Sequence, residues 1–223
     1  MMNPIDTLRG LRAIGRVIRD PNRLDEIFVL ADLSEHSKGL EQAIARFRAD
    51  PAFRRAFETK PRLGPVDQEA LHRLPEGTLG RAYAEFMAER GLRHEDLKLV
   101  EGGERDMDWI RNHLRETHDL WHVVTGFGTD IPGELGLQAF YCAQVKGPLP
   151  VLILSMGLIN TLLFSMESLD ERLTAISHGY QLGKRTKPLF GLDFRASFAR
   201  PLADLRGELG LPADAPEAVA LAA

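Results

Sequence analysis

Apolar residues recur every three or four positions along nearly the whole chain, and no stretch alternates apolar and polar for more than a few residues. That period belongs to helices that bury one face, and without alternating segments there is little from which to build a sheet. The expected fold is all-α, a single-domain helical bundle. Ile5, Leu8, Leu11, Ile14 and Ile18 mark one face of a first helix. Asp20-Pro21 predicts an N-cap with proline at the first position of a second helix. Leu24, Ile27, Phe28 and Ala31 continue its period, and Leu40, Ile44 and Phe47 predict a third helix. The four prolines between Asp50 and Pro75 predict short helical pieces joined by turns. Thr78 to Arg90 is amphipathic, with Leu79, Ala82, Tyr83, Phe86 and Met87 inward and Gly91 as the stop.

The next long helix runs from Met107 to Val124, and Gly126, Gly128, Pro132 and Gly133 break it. Asp130 then caps a helix from Ile131 to about Val145. Two further helices are expected, Val151 to Ser165 and Leu169 to Lys184, with Pro201 in or near the start of a last one. Val151 to Phe164 is the most apolar run, yet Ser155, Asn160 and Thr161 interrupt it before it could span a bilayer. It is expected to be a long apolar core helix. Gly157, Thr161 and Ser165 form a small-residue stripe on it, which lets another helix, or a slender hydrocarbon chain in a lipid tunnel, approach the backbone. The helical domain is taken as residues 1–211, and 212–223, rich in alanine and proline, as a flexible tail.

With 223 residues, 44% of them hydrophobic, the chain can bury a sizeable core. A formal charge of -4 gives no broad basic field, which argues against a nucleic-acid partner. Lys184-Arg185-Thr186-Lys187 is a short basic cluster at a helix end. Cys142 is the sole cysteine, so no intramolecular disulfide can form, in keeping with a reducing compartment. Residues 1–20 lack the unbroken apolar core of a secretory signal, so a cytoplasmic location with peripheral membrane contact is expected.

Chemistry is concentrated in His118-Asp119-Leu120-Trp121-His122 and in Glu134. Histidines four residues apart leave the same side of a helix. A short helix-turn-helix would return Glu134 towards them. Imidazole nitrogen and carboxylate oxygen suit zinc, iron or manganese, and a site of such ligands can keep a position open for water or substrate. His118, Asp119, His122 and Glu134 are the candidate metal ligands, with Asp119 and Glu134 the candidate catalytic acid or base groups. The alternative is a capped helix end carrying two surface histidines. Gln138 and Tyr141 follow Glu134 on one face and, with Gly157 and Thr161, are the candidate substrate contacts.

These segments resemble the ubiquinone (coenzyme Q) biosynthesis family Coq-four. Its motif is H-D-x-x-H, eleven residues, then E, which is met by His118, Asp119, His122 and Glu134. Leu74-Pro-Glu-Gly-Thr-Leu-Gly80 before Tyr83 and Phe86, the segment Gln144 to Pro150, and Leu205-Arg-Gly-Glu-Leu-Gly210 are also similar, as is the pattern from Leu8 to Leu33. The resemblance implies a helical protein holding a divalent metal, usually zinc. It implies oxidative decarboxylation of a polyprenylated hydroxybenzoate precursor, its ring carboxyl replaced by hydroxyl. It implies as well that members organise the other ubiquinone biosynthesis enzymes at a membrane surface, and the alternative reading is a non-catalytic lipid-binding scaffold that presents the precursor to those enzymes. The sequence departs from the pattern at Gln138, where a lysine is expected, at Tyr141, where an acid is common, and in Phe194-Arg-Ala-Ser-Phe198, which lacks an acid. A homodimer is the expected assembly.

Overall fold

The computed structural model describes residues 4–21, 23–33, 38–97, 99–100 and 105–213. The expected tail beyond Ala213 lies outside the described residues. The fold is all-α. Its helices are α1 (Pro4–Arg19), α2 (Leu24–Leu33), α3 (Lys38–Ala49), α4 (Arg54–Thr59), α5 (Gln68–His72), α6 (Leu79–Glu89), α7 (Asp106–Thr125), α8 (Ile131–Gln144), α9 (Pro148–Phe164), α10 (Leu169–Arg185) and α11 (Leu202–Leu209). No strand occurs among the described residues; Thr78 and Pro201 form an isolated bridge. The chain builds two compact units from interleaved segments. Among the described residues, one holds 4–47 and 128–184, the other 48–127 and 185–213.

In the first unit α1 and α2 pack on each other and on α9, and α8 packs on α9. Ala13, Val17, Leu30 and Met156 form the buried centre, with Ile14, Ile18, Ile27, Leu152 and Ile153 around it. The inward face of α1 is therefore Gly10-Ala13-Val17, and the expected face is corrected: Ile5, Leu8 and Leu11 are exposed. Small side chains win because they let two helix axes approach closely. Asp20-Pro21 does not open α2. The pair forms a turn, with Arg23 N–H donating to the Asp20 carbonyl (3.2 Å), and the helix starts at Leu24.

The expectation of an apolar core helix is also corrected. Helix α9 buries Pro150, Met156, Gly157, Asn160 and Thr161, while Leu162, Leu163 and Phe164 are 65%, 58% and 57% exposed. Its small and polar stripe faces inward because neighbouring groups need that space. A Cβ at Gly157 would collide with Leu135, and one at Gly179 of α10 with the Gly136 carbonyl of α8. One turn on, Gln144 donates to the Gly183 carbonyl at 2.9 Å.

In the second unit the proline-rich segment is tied to α7. Fully buried Glu116 accepts from Arg62 Nε (2.9 Å) and Nη2 (2.8 Å) and from the Leu63 N–H (3.2 Å). Burial alone would raise this carboxyl, but the Arg62 fork and two backbone N–H groups hold it below the usual range. His113 Nδ1 lies 3.1 Å from the Pro61 carbonyl, and its Nε2 accepts from the Gly191 N–H at 3.0 Å. A neutral ring does both jobs, and burial pushes its pKa down to about 4. Thr78 caps α6, whose first amides at Leu79 and Gly80 donate to the Arg200 (2.9 Å) and Phe198 (2.8 Å) carbonyls.

Two predictions test this packing. Gly179→Ala forces two helices apart and lowers stability by about 1–3 kcal/mol. Gly207→Ala, in α11 with nothing within 4 Å of the added carbon, raises it by about 0.5–1 kcal/mol; equal thermal midpoints for the two variants would contradict the packing described. His113 makes stability pH-dependent. The unfolded ring protonates near 6.5 and the folded ring only near 4, so its contribution is complete above 6.5 and lost as pH falls towards 4. The loss is about 3 kcal/mol. Urea titrations across that window should show it, and His113→Gln, although less stable overall, should show a flatter profile.

Candidate metal centre

His118 and His122 lie one turn apart near the C-terminal end of α7. Their Nε2 atoms are 3.3 Å apart and their rings stand 88° to one another. His122 is buried, and its Nδ1 lies 3.0 Å from the Phe127 carbonyl oxygen. A carbonyl only accepts, so Nδ1 carries the hydrogen and Nε2 keeps its lone pair turned towards His118. The end of α7 makes this possible. Gly126 adopts a left-handed φ of 83°, and its N–H donates to the His122 carbonyl at 2.8 Å. That conformation suits glycine. The chain then turns back and sets the next carbonyl beneath the imidazole. Phe86 of α6 stacks on the ring, with centroids 5.7 Å apart and planes at 23°. Arg206 of α11 donates to the Val123 (2.8 Å) and Val124 (3.0 Å) carbonyls, capping the same helix end.

The return helix begins as expected. The Asp130 side chain accepts from the Gly133 N–H at 3.2 Å, and its carbonyl accepts from the Glu134 N–H at 2.8 Å. Pro132 occupies the first turn, where no N–H is missed. A side chain at 133 would strike the Gly128 carbonyl, so glycine is required. His118, His122 and Glu134 each offer one ligand atom, and the three atoms lie within 4.8 Å of one another.

This donor set fits a divalent metal. Two nitrogens each 2.0–2.1 Å from a tetrahedral zinc stand about 3.3–3.4 Å apart, which matches the 3.3 Å between the two Nε2 atoms. Two neutral imidazoles and one carboxylate leave a fourth position for water or substrate.

The family model described as coenzyme Q (ubiquinone) biosynthesis protein Coq4 matches residues 8–214. The chain belongs to the Coq4 family. It is 28% identical over 213 residues to the human mitochondrial ubiquinone biosynthesis protein COQ4 homolog, covering 92% of this chain and 78% of the relative. It is 27% identical over 211 residues to the zebrafish (Danio rerio) homolog, covering 91% and 76%. A crystal structure of a Nostoc punctiforme protein, provisionally described as acting in ubiquinone biosynthesis, superposes with a TM-score of 0.80 at 29% identity, covering 92% of this chain and 97% of that one.

Within this Coq4 fold the remaining candidate residues are distributed unevenly. Asp119 is half-buried and is not one of the three convergent ligands. Its charge is felt instead at Tyr83, whose hydroxyl is pushed well above its ordinary pKa by burial, with Asp119 adding to the effect. The Tyr83 hydroxyl lies 3.4 Å from His94 Nδ1. Tyr141 is buried and Gln138 half-buried on α8. Gly157 is filled against Leu135, and the Thr161 hydroxyl donates to the Gly157 carbonyl at 2.8 Å, so helix packing occupies that stripe. The sequence reading missed three supports of His122: Phe86 as its stacking partner, the Phe127 carbonyl and the Arg206 cap. The first was visible as an inward aromatic and the last lies in the Leu205–Gly210 segment. Neither signal said which residue it would serve.

Proposed function

We propose that this chain acts in ubiquinone biosynthesis by oxidative decarboxylation of a polyprenylated hydroxybenzoate precursor at a divalent cation held by His118, His122 and Glu134. The observation that carries this reading is the convergence of those three donors within 4.8 Å. Zinc suits the set best, and iron or manganese is compatible with it. When bound, the cation would supply Lewis-acid withdrawal of charge from the precursor's carboxylate or phenolate oxygen.

Replacing ring carboxyl by hydroxyl breaks one carbon–carbon bond, releases carbon dioxide and removes two electrons. With dioxygen as the acceptor, water supplies the hydroxyl oxygen and the electron pair leaves as hydrogen peroxide. The protein's part is to bind, orient and move protons. His122, fixed by the Phe127 carbonyl and stacked on Phe86, cannot rotate away from the site. Asp119, one position along α7 from His118, is the proton carrier, unless it joins the metal as a further ligand; Glu134 takes the proton role if its coordination is released. Gln138 and Tyr141 are proposed to contact the aromatic head.

A second reading rests on a separate observation. The outward side of α9 is apolar and exposed from Leu158 to Phe164, and no helix among the described residues is long and apolar enough to cross a membrane. A surface of that kind suits a lipid-binding scaffold at a membrane, paired with a second copy or with other biosynthetic enzymes.

Purified protein should carry close to one metal per chain. His122→Ala should lose both metal and product formation, whereas Asp119→Asn should retain metal and lose about 10²–10⁴-fold in turnover. Full turnover by metal-free His122→Ala would end the catalytic reading. Unchanged turnover in Asp119→Asn would remove Asp119 from it.

A further inference from the structure

Helix α1 turns its large apolar residues to water. Gly10, Ala13 and Val17 are buried, whereas Ile5, Leu8 and Leu11 are 72%, 50% and 62% exposed. Arg9, Arg12, Arg16 and Arg19 are exposed as well. At roughly 100° per residue, Ile5, Leu8, Arg12, Gly15 and Arg19 fall along one line opposite the buried residues. Leu11 flanks that line on one side, and Arg9 and Arg16 flank it on the other. A Cβ added at Gly15, within the line, would meet nothing within 4 Å, so no described residue covers the helix at that point.

The charge on this helix runs against the rest of the chain. Four arginines and one aspartate give it +3, so in a chain of net -4 the remainder carries -7. Asp6 lies 3.7 Å from Arg9, and buried Glu26 of α2 holds Arg16 at 2.5 Å. Arg12 and Arg19 pair with no carboxylate among the described residues. Ile5, Leu8 and Leu11 occupy the first two turns, and Arg12, Arg16 and Arg19 the last two. A surface that accepts this helix must offer anionic charge with an apolar phase beside it. A bilayer with anionic headgroups offers both, because arginine stems can lie along apolar surface while their charged ends stay at the phosphates. A nucleic acid offers phosphate without the apolar phase. A second copy paired through the same face would set the arginines against like charges.

We propose that α1 docks this chain on an anionic lipid bilayer, with Ile5, Leu8 and Leu11 entering the acyl boundary and Arg12 and Arg19 meeting the headgroup phosphates. Arg9 and Arg16 extend the basic edge. The helix is already formed and packed on α2 and α9, so docking pays no ordering cost. The proposal shares its bilayer with the second reading above but rests on another helix and another force. Val151 to Phe164 of α9 carries no charge and cannot distinguish one headgroup from another, whereas α1 selects anionic ones. None of the three metal donors takes part.

The test is co-sedimentation of the full chain with vesicles of phosphatidylcholine alone and of two parts phosphatidylcholine to one part phosphatidylglycerol. The wild type should bind the mixed vesicles, bind phosphatidylcholine about tenfold more weakly or worse, and release the mixed vesicles as salt rises. Arg12→Gln with Arg19→Gln should weaken binding to the mixed vesicles by about fivefold for each charge. Leu8→Ser with Leu11→Ser should weaken it by about tenfold. Arg54→Gln with Arg55→Gln, at exposed positions of α4, removes the same charge elsewhere and should bind as the wild type does. All six positions are exposed, so equal thermal midpoints are expected across these variants. His122→Ala should also bind like the wild type, so failure of the catalytic reading leaves this one intact. The proposal is overturned if the wild type ignores the mixed vesicles, if it binds both kinds equally, or if either pair of α1 substitutions binds as tightly as the wild type. Loss of binding in Leu162→Ser with Leu163→Ser, with the α1 pairs unaffected, would assign the bilayer to α9 and leave the second reading standing without this one. Binding to polyglutamate but to neither kind of vesicle would replace the bilayer by an acidic protein.

Discussion

A change of chain direction within a few residues sets the geometry of the candidate metal centre. Gly126 ends α7 in the left-handed region, the Phe127 carbonyl turns under His122, and Asp130 caps a helix whose first turn carries Glu134. Each step depends on the one before. Without the left-handed residue the Phe127 carbonyl would continue the helix and not meet the imidazole, and the lone pair on Nε2 would not be assured. A side chain at 133 would strike the Gly128 carbonyl and prevent the new helix from starting where it does. The three convergent donors are therefore held by backbone geometry more than by side-chain partners, which would suit a site that keeps its shape when ligands exchange.

Other parts of the fold spend buried polar groups on holding irregular backbone. Glu116, His113 and Trp109 of α7 fasten the proline-rich segment at Pro61 to Leu63, and Arg195 donates to the Leu63 carbonyl at 2.6 Å. Such a segment cannot satisfy itself with helical bonds, so its carbonyls and amides need outside partners. Arg206 does the same for the last carbonyls of α7. Arg172 differs in kind, because Asn160 and Thr161 take only two of its five N–H donors.

Helix existence was legible in the sequence nearly everywhere, since a period of three to four residues survives any particular packing. The site was legible for a related reason. His118 and His122 are fixed by helical spacing and Glu134 by the cap at Asp130, all local rules. What could not be read was the choice of inward face. Apolar counting selects Ile5, Leu8, Leu11, Ile14 and Ile18 on α1; Ile14 and Ile18 do pack on the core, but its centre is Ala13 and Val17, and Ile5, Leu8 and Leu11 are exposed. On α9 the small-residue stripe of Gly157 and Thr161 does face the protein as its spacing suggests, but Leu162 to Phe164, expected in the core, face out. Close helix approach favours small residues, and that preference depends on the neighbour, which a single helix does not disclose. Asp20-Pro21 failed for a similar reason: a turn and a cap use the same residues, and tertiary packing decides between them.

The central claim is that one divalent cation is shared by two imidazoles and a carboxylate. X-ray absorption at the metal edge of the purified protein tests it most directly. The account predicts two imidazole nitrogens at about 2.0–2.1 Å and a carboxylate oxygen at about 2.0–2.2 Å, with the imidazole signal lost in His118→Ala and the oxygen shell altered in Glu134→Gln. A metal surrounded by water oxygens alone, or a spectrum unchanged by both substitutions, would contradict it.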